Sequence, residues 1–433
     1  MTATEPAVAP RRLINVEGPK LGYVPTFDGM RGIFVLVVVL YHADVVTSLL
    51  TGGPILIDLF FVLSGFLITY LLLDETRKTG DISLRRFYMR RVLRLFPAMY
   101  LLIAVFTLLM VLVQVFGPPE AKAALSGWWL EALGAATYTY FILAAFFPSA
   151  MGVLGPIWTL SLEECFYFLW PPTIRRVLRN ATMRSDIVII AAGVLFIALM
   201  FFVRARLQYV VGAGSLGAAK YIDTLGGLGT GFGHAAGSEW AGTFTEVPQY
   251  KTTWQGVVYR LAATRPDMIV WGCLMAFVAK SIPRPVPARI ARWVAALGMA
   301  GWVFLTITLF FAAPGPPGPR ALFGGALYQF SLVMLGPIVI DAYLRTNSFY
   351  MMPFRWGWTR WLGERSYGIY LWHAIVLPLC APAILAATGP TRKVLGLIAS
   401  ALAVGVGVLS YRFIERRFLA LKDLRFANPA ASK

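Results

Sequence analysis

Long apolar runs recur along the whole chain and constrain its fold more than any other feature. Residues 32–40 and 96–113, for example, contain no charged side chain. Only 14% of the 433 residues are charged, whereas soluble domains average about 25%. A helix of about 20 residues crosses the roughly 30 Å hydrocarbon layer of a bilayer. The sequence therefore predicts an all-α polytopic membrane protein and excludes a cytosolic enzyme, a disulfide scaffold and a disordered tail.

About ten of these runs are predicted to span the membrane. They are 32–50, 54–73, 98–116, 156–174, 186–203, 266–280, 291–312, 320–343, 366–386 and 394–414. The run 266–280 is short, so we expect it to extend into its flanks. Residues 128–148 are also apolar and are the main ambiguity in this assignment.

The distribution of Lys and Arg indicates how the spans are oriented. If both termini are cytoplasmic and 128–148 does not span, 29 of the 39 Lys and Arg fall in cytoplasmic segments, as the positive-inside rule requires. Counting 128–148 as a span would place the basic residues of 175–184 outside. We therefore expect 128–148 to be a re-entrant or surface helix. The net charge of +18 then marks cytoplasmic loops, and no nucleic-acid partner is expected.

This topology divides the chain into three parts. Residues 1–31 form a cytoplasmic N-terminal segment, residues 32–414 the transmembrane domain, and residues 415–433 a cytoplasmic tail. The domain includes a basic cytoplasmic loop, 74–97, and an extracytoplasmic loop, 204–265. The glycine-rich stretch 226–233 follows no predicted strand, which excludes a dinucleotide fingerprint. It is interpreted as a flexible loop or as a lid over an acceptor site.

Ionisable side chains at membrane depth are costly and are functional candidates by default. Arg31 and His42 are eleven residues apart, which is three helical turns plus about 20°, so both project from one helix face. A guanidinium at the membrane surface suits phosphate groups, and a histidine at depth suits general-base catalysis. The alternative is a snorkelling arginine together with a buried histidine bonded to a carbonyl.

Two further clusters of charge accompany this pair. Glu163 is predicted to lie at about the depth of His42, and Glu163 or Glu164 could orient the histidine or the acceptor. In the basic segment, arginines at positions 86, 90 and 94 recur every fourth residue and share one helix face. This pattern favours either a phosphate site beside Arg31 or a helix that binds anionic lipids.

Six motifs in this sequence resemble, in order, those of the acyltransferase-3 family of ten-span membrane O-acyltransferases, from Phe27 to about Phe418. They are Phe27-Asp28-Gly-Met-Arg31 with His42, the run from Asp58 to Phe66 with Ser64, Arg91-Val-Leu-Arg94, the block from Trp158 to Tyr167, Arg265-Pro-Asp267 with Gly272, and the block from Ser366 to His373 with Tyr370. Thr159 and Cys165 replace the usual Ser and Gln of the fourth block, which weakens any role for those two side chains.

The resemblance implies an acyl-CoA-dependent O-acyltransferase in the bacterial cytoplasmic membrane. Its donor, expected to be acetyl-CoA, would be a cytoplasmic co-substrate, and its acceptor a hydroxyl of an envelope sugar or a lipid-linked glycan. The residues expected to bind acyl-CoA are Arg31, Arg90, Arg91 and Arg94. Those expected to be catalytic are His42, Glu163 and Glu164.

Further candidates follow from the motifs alone. They are Asp28, Asp58, Ser64, Trp158, Arg265, Asp267, Tyr370 and His373. Ser64 lacks a nucleophile-elbow context and is equally consistent with helix packing. No bound cofactor or metal is expected, and the oligomeric state is left open.

A transporter or flippase of a charged envelope precursor is the alternative function. Ten spans, buried charges and a basic inner face all suit it. The two halves of the sequence show no matching pair of broken helices, which argues against it. Consumption of a thioester distinguishes the two functions.

Overall fold

The computed structural model describes residues 13–50, 52–147, 152–180, 182–213, 257, 261, 264–311 and 319–426. The regular elements of these residues are helices. In chain order they are α1 (Pro25–His42), α2 (Ile55–Thr79), α3 (Leu84–Phe116), α4 (Pro119–Ala124), α5 (Trp128–Ala136), α6 (Tyr140–Phe146), α7 (Ile157–Asn180), α8 (Met183–Ala213), α9 (Asp267–Ser281), α10 (Ala288–Phe311), α11 (Pro319–Leu344), α12 (Met352–Arg355), α13 (Gly357–Glu364), α14 (Ser366–Ala386), α15 (Gly389–Ser410) and α16 (Arg416–Phe426). A π-helical turn, Tyr411–Glu415, joins the last two.

Seven stretches within the described residues are long and apolar enough to cross a membrane. They lie in α2, α3, α8, α10, α11 and α14, and in α15 continued through the π-helical turn into α16. These seven coincide with seven of the ten predicted spans. The other three predicted spans lie in α1, α7 and α9, which carry many of the charged motif residues. The chain is a multi-pass membrane protein, and the total of ten spans and the orientation of its termini stay predictions.

Two predicted loops contain more helix than expected. The basic loop 74–97 is helical except at residues 80–83, because α2 continues to Thr79 and α3 begins at Leu84. Gly80 ends α2 with a φ of 76°, a left-handed conformation that glycine adopts without strain. Helix α8 continues to Ala213, ten residues into the predicted loop 204–265. Hydropathy locates the edge of the membrane, whereas a helix can continue into water. The glycine-rich stretch 226–233 lies outside the described residues.

The ambiguous segment 128–148 contains two short helices. Helices α5 and α6 have 9 and 7 residues, about 10–14 Å each, so neither crosses the hydrocarbon layer. Tyr138 separates them with a φ of 54°. The buried Glu131 carboxylate accepts hydrogen bonds from the Tyr140 hydroxyl at 3.0 Å and the Leu154 amide at 2.7 Å. These bonds fix the pair against the loop that precedes α7.

Helix α2 forms the centre of the bundle. In its most apolar 18-residue window 83% of residues are buried, against 6% for α8, which leaves α8 to face lipid. Helix α2 crosses α9 closely because each contributes a glycine at the crossing. A Cβ at Gly65 would overlap the Ile269 carbonyl, and one at Gly272 would overlap the Val62 carbonyl. Small residues at such crossings let helix backbones approach in a membrane.

The residues before α1 form an N-terminal strap, residues 13–24, across the ends of several helices. The Asp186 carboxylate at the start of α8 accepts the Leu13 and Ile14 amides at 3.0 and 3.1 Å. Asp74 near the end of α2 accepts the Leu21 amide at 3.0 Å. The buried Lys280 ammonium pairs with Asp74 and donates to the Pro19 carbonyl at 2.9 Å. Polar groups on three helices therefore hold this segment by its backbone.

Candidate functional site

A cavity of about 130 Å³ lies between α1, α2, α3, α7 and α14. We refer to it as the central cavity. Its apolar wall includes Val35, Ile57, Phe60, Phe61, Leu95 and Leu160. Its polar wall includes Ser64, Thr159, Glu163, Glu164, Tyr167 and Tyr370. The four motif-bearing helices α1, α2, α3 and α7 thus meet the His373-bearing helix α14 around one space.

Three arginines occupy one end of the central cavity. Arg31 of α1 and Arg91 and Arg94 of α3 line it and also line a second cavity of about 270 Å³, the entrance cavity. The other residues common to both cavities are Ser64 and Tyr167. This arginine cluster therefore stands where the two spaces adjoin. Within the part of the chain that the structure describes, neither Arg31 nor Arg94 forms a salt bridge, so two of the three guanidinium groups have no carboxylate within 4.0 Å.

Arg91 is held rigidly from α7. Its Nη1 lies 2.9 Å from the Glu164 carboxylate, and its guanidinium carbon lies 3.3 Å from the centroid of the Tyr167 ring. An ion pair and a cation–π contact together fix the plane of the guanidinium. Glu164, predicted from the sequence to be catalytic, is in the structure the partner of Arg91.

Arg90 takes a different position from its neighbours. It is absent from the described lining of both cavities, and its Nη2 lies 3.5 Å from the Glu75 carboxylate of α2. The basic segment therefore divides: Arg91 and Arg94 face the site, whereas Arg90 contacts the end of α2. The four-residue spacing of the arginines could not reveal this, because Glu75 is brought near by the α2–α3 turn.

Glu163 and Ser64 form a polar pair in the wall of the central cavity. The Ser64 hydroxyl donates to Glu163 Oε1 at 2.7 Å. Gly65, the next residue on α2, makes the packing contact with α9. From the sequence, this motif is consistent with either a site residue or helix packing. In the structure Ser64 lies at the site, and its neighbour Gly65 lies at the helix crossing.

Thr159 and Tyr370 form a second polar pair in that wall. Their hydroxyl oxygens lie 2.8 Å apart, and the Tyr370 hydroxyl also lies 2.9 Å from the Pro156 carbonyl. Thr159 replaces a serine in the family motif but retains the hydroxyl used in this contact. Cys165, the other departure from the motif, lies with its Sγ 3.4 Å from the Tyr138 carbonyl.

His42 and His373 form an edge-to-edge, hydrogen-bonded pair next to Tyr370. His42 Nδ1 lies 2.9 Å from His373 Nε2, and the rings are parallel, with centroids 5.0 Å apart. His373 Nδ1 bonds to the Tyr370 carbonyl. Neither histidine occurs in the described lining of the central cavity. The pair lies beyond the Tyr370 end, away from the arginine cluster.

The hypothesis from the sequence pairs His42 with a glutamate, whereas in the structure its partner is His373. The two histidines are 331 residues apart, and no local pattern places α1 beside α14. The sequence signal that could have indicated this pair is that two of the three histidines in the chain fall within predicted spans. Tyr167 ends the fourth motif but is not predicted from the sequence to be a site residue. In the structure it contacts Arg91 and lines both cavities.

Three other candidates lie in a separate buried group. Arg265 donates to the Asp58 carboxylate at 2.7 Å, and Tyr328 of α11 donates to the same oxygen at 3.1 Å. Both members of the ion pair are at most 1% exposed, and Asp267 is buried beside them at the start of α9. This group ties α2, α9 and α11 together and does not line either cavity in the described residues.

The last two candidates lie at opposite sides of the site. Trp158 is buried, with its ring edge-to-face against Phe61 at 5.9 Å between centroids. Because Phe61 lines the central cavity, Trp158 supports its wall. Asp28 lines the entrance cavity together with residues 21–24 of the N-terminal strap.

Comparison with known proteins adds to this geometry. A family described as an acyltransferase domain matches residues 24–411. A peptidoglycan O-acetyltransferase of Listeria monocytogenes, OatA, is 32% identical over 402 residues, which cover 91% of this chain and 55% of that protein. A putative peptidoglycan O-acetyltransferase of Bacillus subtilis, YrhL, is 28% identical over 408 residues, covering 91% of this chain and 54% of the relative.

A putative O-acetyltransferase of Staphylococcus aureus (strain COL) is likewise 28% identical over 408 residues, covering 92% of this chain and 58% of the relative. The chain thus spans about half the length of the curated relatives it matches. No solved structure matches it significantly. The family match covers all six motifs and extends to the start of the π-helical turn, so it includes every residue of the arginine cluster and both histidines of the pair. The chain belongs to the acyltransferase-3 family.

Proposed function

We propose that this protein is a membrane O-acyltransferase that moves an acyl group, expected to be acetyl, from cytoplasmic acyl-CoA to a hydroxyl of an extracytoplasmic envelope glycan or glycolipid. One observation carries the proposal. The central cavity is lined by the arginine cluster and by Tyr370, and Tyr370 contacts His373 of the hydrogen-bonded histidine pair. Phosphate recognition and proton transfer are thereby available along one path.

The arginine cluster suits the phosphate groups of the donor. Guanidinium groups are permanently charged and bind phosphate oxygens in a bidentate manner. Arg91 is already oriented by Glu164 and Tyr167, so little side-chain entropy is lost when it binds. The entrance cavity adjoins the cluster on the side of the N-terminal strap, where the nucleotide part of acyl-CoA would lie.

The acyl chain would extend along the apolar wall of the central cavity. Arg31 and His42 are eleven residues apart on α1, about 16 Å along the helix axis. A flexible thioester arm anchored at the cluster would place its carbonyl towards Tyr370 and the histidines. The Ser64–Glu163 and Thr159–Tyr370 pairs would position the reacting groups.

The proposed step is direct transfer. His42 takes the proton of the acceptor hydroxyl as its oxygen attacks the thioester carbonyl. The C–O bond forms, the C–S bond breaks, and the thiolate of CoA leaves and is protonated. In a variant of this step with the same two substrates, His42 attacks the thioester first and forms a covalent acyl-histidine.

The acceptor class is supported by the names of the relatives. Two of them are named as peptidoglycan O-acetyltransferases, one putatively. A peptidoglycan hydroxyl is therefore the first acceptor to test, with lipid-linked glycans and glycolipids as the other envelope acceptors.

The test uses inverted membrane vesicles, whose cytoplasmic face is outward, supplied with acetyl-labelled CoA. We expect label in one envelope glycan or lipid fraction of the wild type, and loss of that label in His42→Ala and Arg31→Ala at matched protein levels. Arg85→Ala is the control, since Arg85 is exposed on the same helix as Arg91. The transporter would be established instead by two results together: no thioester is consumed with any donor chain length, and a charged precursor crosses the membrane.

A further inference from the structure

The hydrogen bonds of the histidine pair have a fixed direction. A carbonyl oxygen only accepts, so His373 Nδ1, which bonds to the Tyr370 carbonyl, carries a proton. At 2.9 Å from His42 Nδ1, His373 Nε2 either donates or accepts. It donates only if His373 is an imidazolium. The charge of His373 therefore decides the tautomer of His42.

The surroundings make His373 neutral. Its side chain is fully buried, and the His42 ring lies edge to edge with it in a nearly parallel plane. Among the described residues, no carboxylate forms a hydrogen bond or ion pair with either ring. A buried cation without a counter-charge is unfavourable by several kcal/mol. A neutral His373 with a proton on Nδ1 leaves Nε2 as an acceptor, so His42 Nδ1 must be the donor.

We infer that His373 is a positioning residue that holds His42 in the tautomer with a proton on Nδ1, which leaves the lone pair on His42 Nε2. The catalytic consequence rests on the proposed function, because that lone pair is the one that would receive the acceptor proton. The backbone carbonyl of Tyr370 sets the direction of this chain of hydrogen bonds, because it can only accept. His373 therefore accepts from His42 in turn. An imidazole here takes the orienting position that a carboxylate occupies beside many catalytic histidines.

The tautomers are directly measurable because the chain has only three histidines. The experiment is ¹⁵N NMR of the purified full-length protein labelled at histidine, in a His234→Gln background. Loss of one set of signals in His42→Gln assigns the rings. We expect both remaining imidazoles to be neutral and to carry their proton on Nδ1. A proton on His42 Nε2, or a charged His373, would overturn the inference whether or not the protein transfers acyl groups.

Substitutions of His373 test the consequence for turnover. His373→Leu removes the acceptor of the His42 proton, and we expect kcat to fall by about 10²–10⁴-fold, the range lost when a catalytic base is absent or in the wrong tautomer. KM for acyl-CoA should stay within about twofold, because the arginine cluster lies at the other end of the cavity. His373→Gln, whose amide oxygen can replace Nε2 as acceptor, should recover part of the kcat.

Three outcomes separate positioning from structural support. Partial rescue by His373→Gln, with thermal unfolding of both variants close to that of the wild type, supports positioning. Equal loss in both variants together with a lowered Tm contradicts it. If the wild type transfers no acyl group, the proposed function fails, but the NMR measurement still decides the tautomer.

Discussion

Glu164 of α7 lies 2.9 Å from Arg91 of α3 and so holds a guanidinium at the junction of the two cavities. Both side chains are mostly buried, with 15% and 20% of their surfaces exposed. The acid at this position thus holds a member of the arginine cluster, whereas Glu163, its neighbour, lines the central cavity with Ser64. Adjacent carboxyl groups in one motif have separate partners.

Glu164→Gln should weaken donor binding more than catalysis. The amide retains the size of the carboxylate but loses the charge that orients Arg91. We expect KM for acyl-CoA to rise about tenfold, or ~1.4 kcal/mol, with kcat within about threefold of the wild type. Steady-state kinetics of the purified protein provide the measurement. Glu364→Gln, which removes an exposed ion pair with Arg365, is the control and should change neither constant. A fall in kcat alone would place Glu164 in the chemical step.

The Asp58–Arg265 pair should stabilise the fold without taking part in catalysis. Removing either partner leaves a buried charge, so Asp58→Asn and Arg265→Ala should each lower the unfolding free energy by about 3–5 kcal/mol. Thermal unfolding in detergent reports this loss. Asp44→Asn breaks a partly exposed pair with Arg392 and should cost little, since asparagine tolerates the left-handed backbone of that position.

The double variant Asp58→Leu/Arg265→Met is the sharper test of this group. Replacing both charges by apolar groups should restore much of the lost stability, and activity per folded molecule should return with it. Recovered stability without any activity would show that the ion pair acts in the reaction.

The close crossing of α2 and α9 predicts strong sensitivity to one added methyl group. Gly65→Ala and Gly272→Ala should each lower stability by about 1–3 kcal/mol, because the new Cβ overlaps a backbone carbonyl of the facing helix. Gly405→Ala is the matched control: a Cβ there meets no atom within 4 Å. Thermal unfolding of the three variants should rank Gly405→Ala with the wild type. An unchanged Tm for Gly272→Ala would contradict this crossing.

The Asp81 carboxylate in the α2–α3 turn accepts hydrogen bonds from Arg175 and Arg179 of α7, which lower the pKa of this carboxyl well below its usual range. A group with a depressed pKa in the folded state stabilises it above the unfolded pKa, near 3.9, and this stability is lost as the pH falls through the folded value.

Asp81→Asn should therefore lower the Tm by about 2 °C at most, because the groups are solvated. The difference from the wild type should be constant between about pH 7 and pH 5 and should shrink only below about pH 4. Thermal unfolding across this range measures it. The absence of any difference from the wild type at pH 7 would show that Asp81 is not paired in solution.

Local patterns predicted the elements of this protein better than their partners. Hydropathy located a helix at each of the ten predicted spans, because apolar length is a property of each segment alone. The first prediction, 32–50, had the wrong ends, since α1 begins at Pro25 and ends at His42. The eleven-residue spacing placed Arg31 and His42 correctly on one helix. Hydropathy gave no correct end for α8, because Arg204 and Arg206 interrupt the apolar run without interrupting the helix.

Partners could not be predicted because they depend on which helices adjoin. Arg90 and Arg91 are neighbours in sequence, yet one meets Glu75 of α2 and the other Glu164 of α7. Asp58 and Arg265, both motif residues, are 207 positions apart and neutralise each other in the core. A motif marks that a residue is constrained, and only the packing distinguishes a group that meets a substrate from one that joins two helices.

The N-terminal strap separates two requirements that one helical bundle would otherwise have to meet together. The bundle must keep its crossings tight, as Gly65 and Gly272 do, whereas an opening for a large polar molecule must vary with that molecule's shape. Here one wall of the opening is residues 21–24, a stretch outside the bundle that is attached through its backbone to Asp74. Val24 and Leu21 of this stretch pack on the core, whereas the Tyr23 side chain is exposed. The Tyr23 side chain can therefore be exchanged without repacking any helix, so the shape of the opening can change while the helix crossings stay the same.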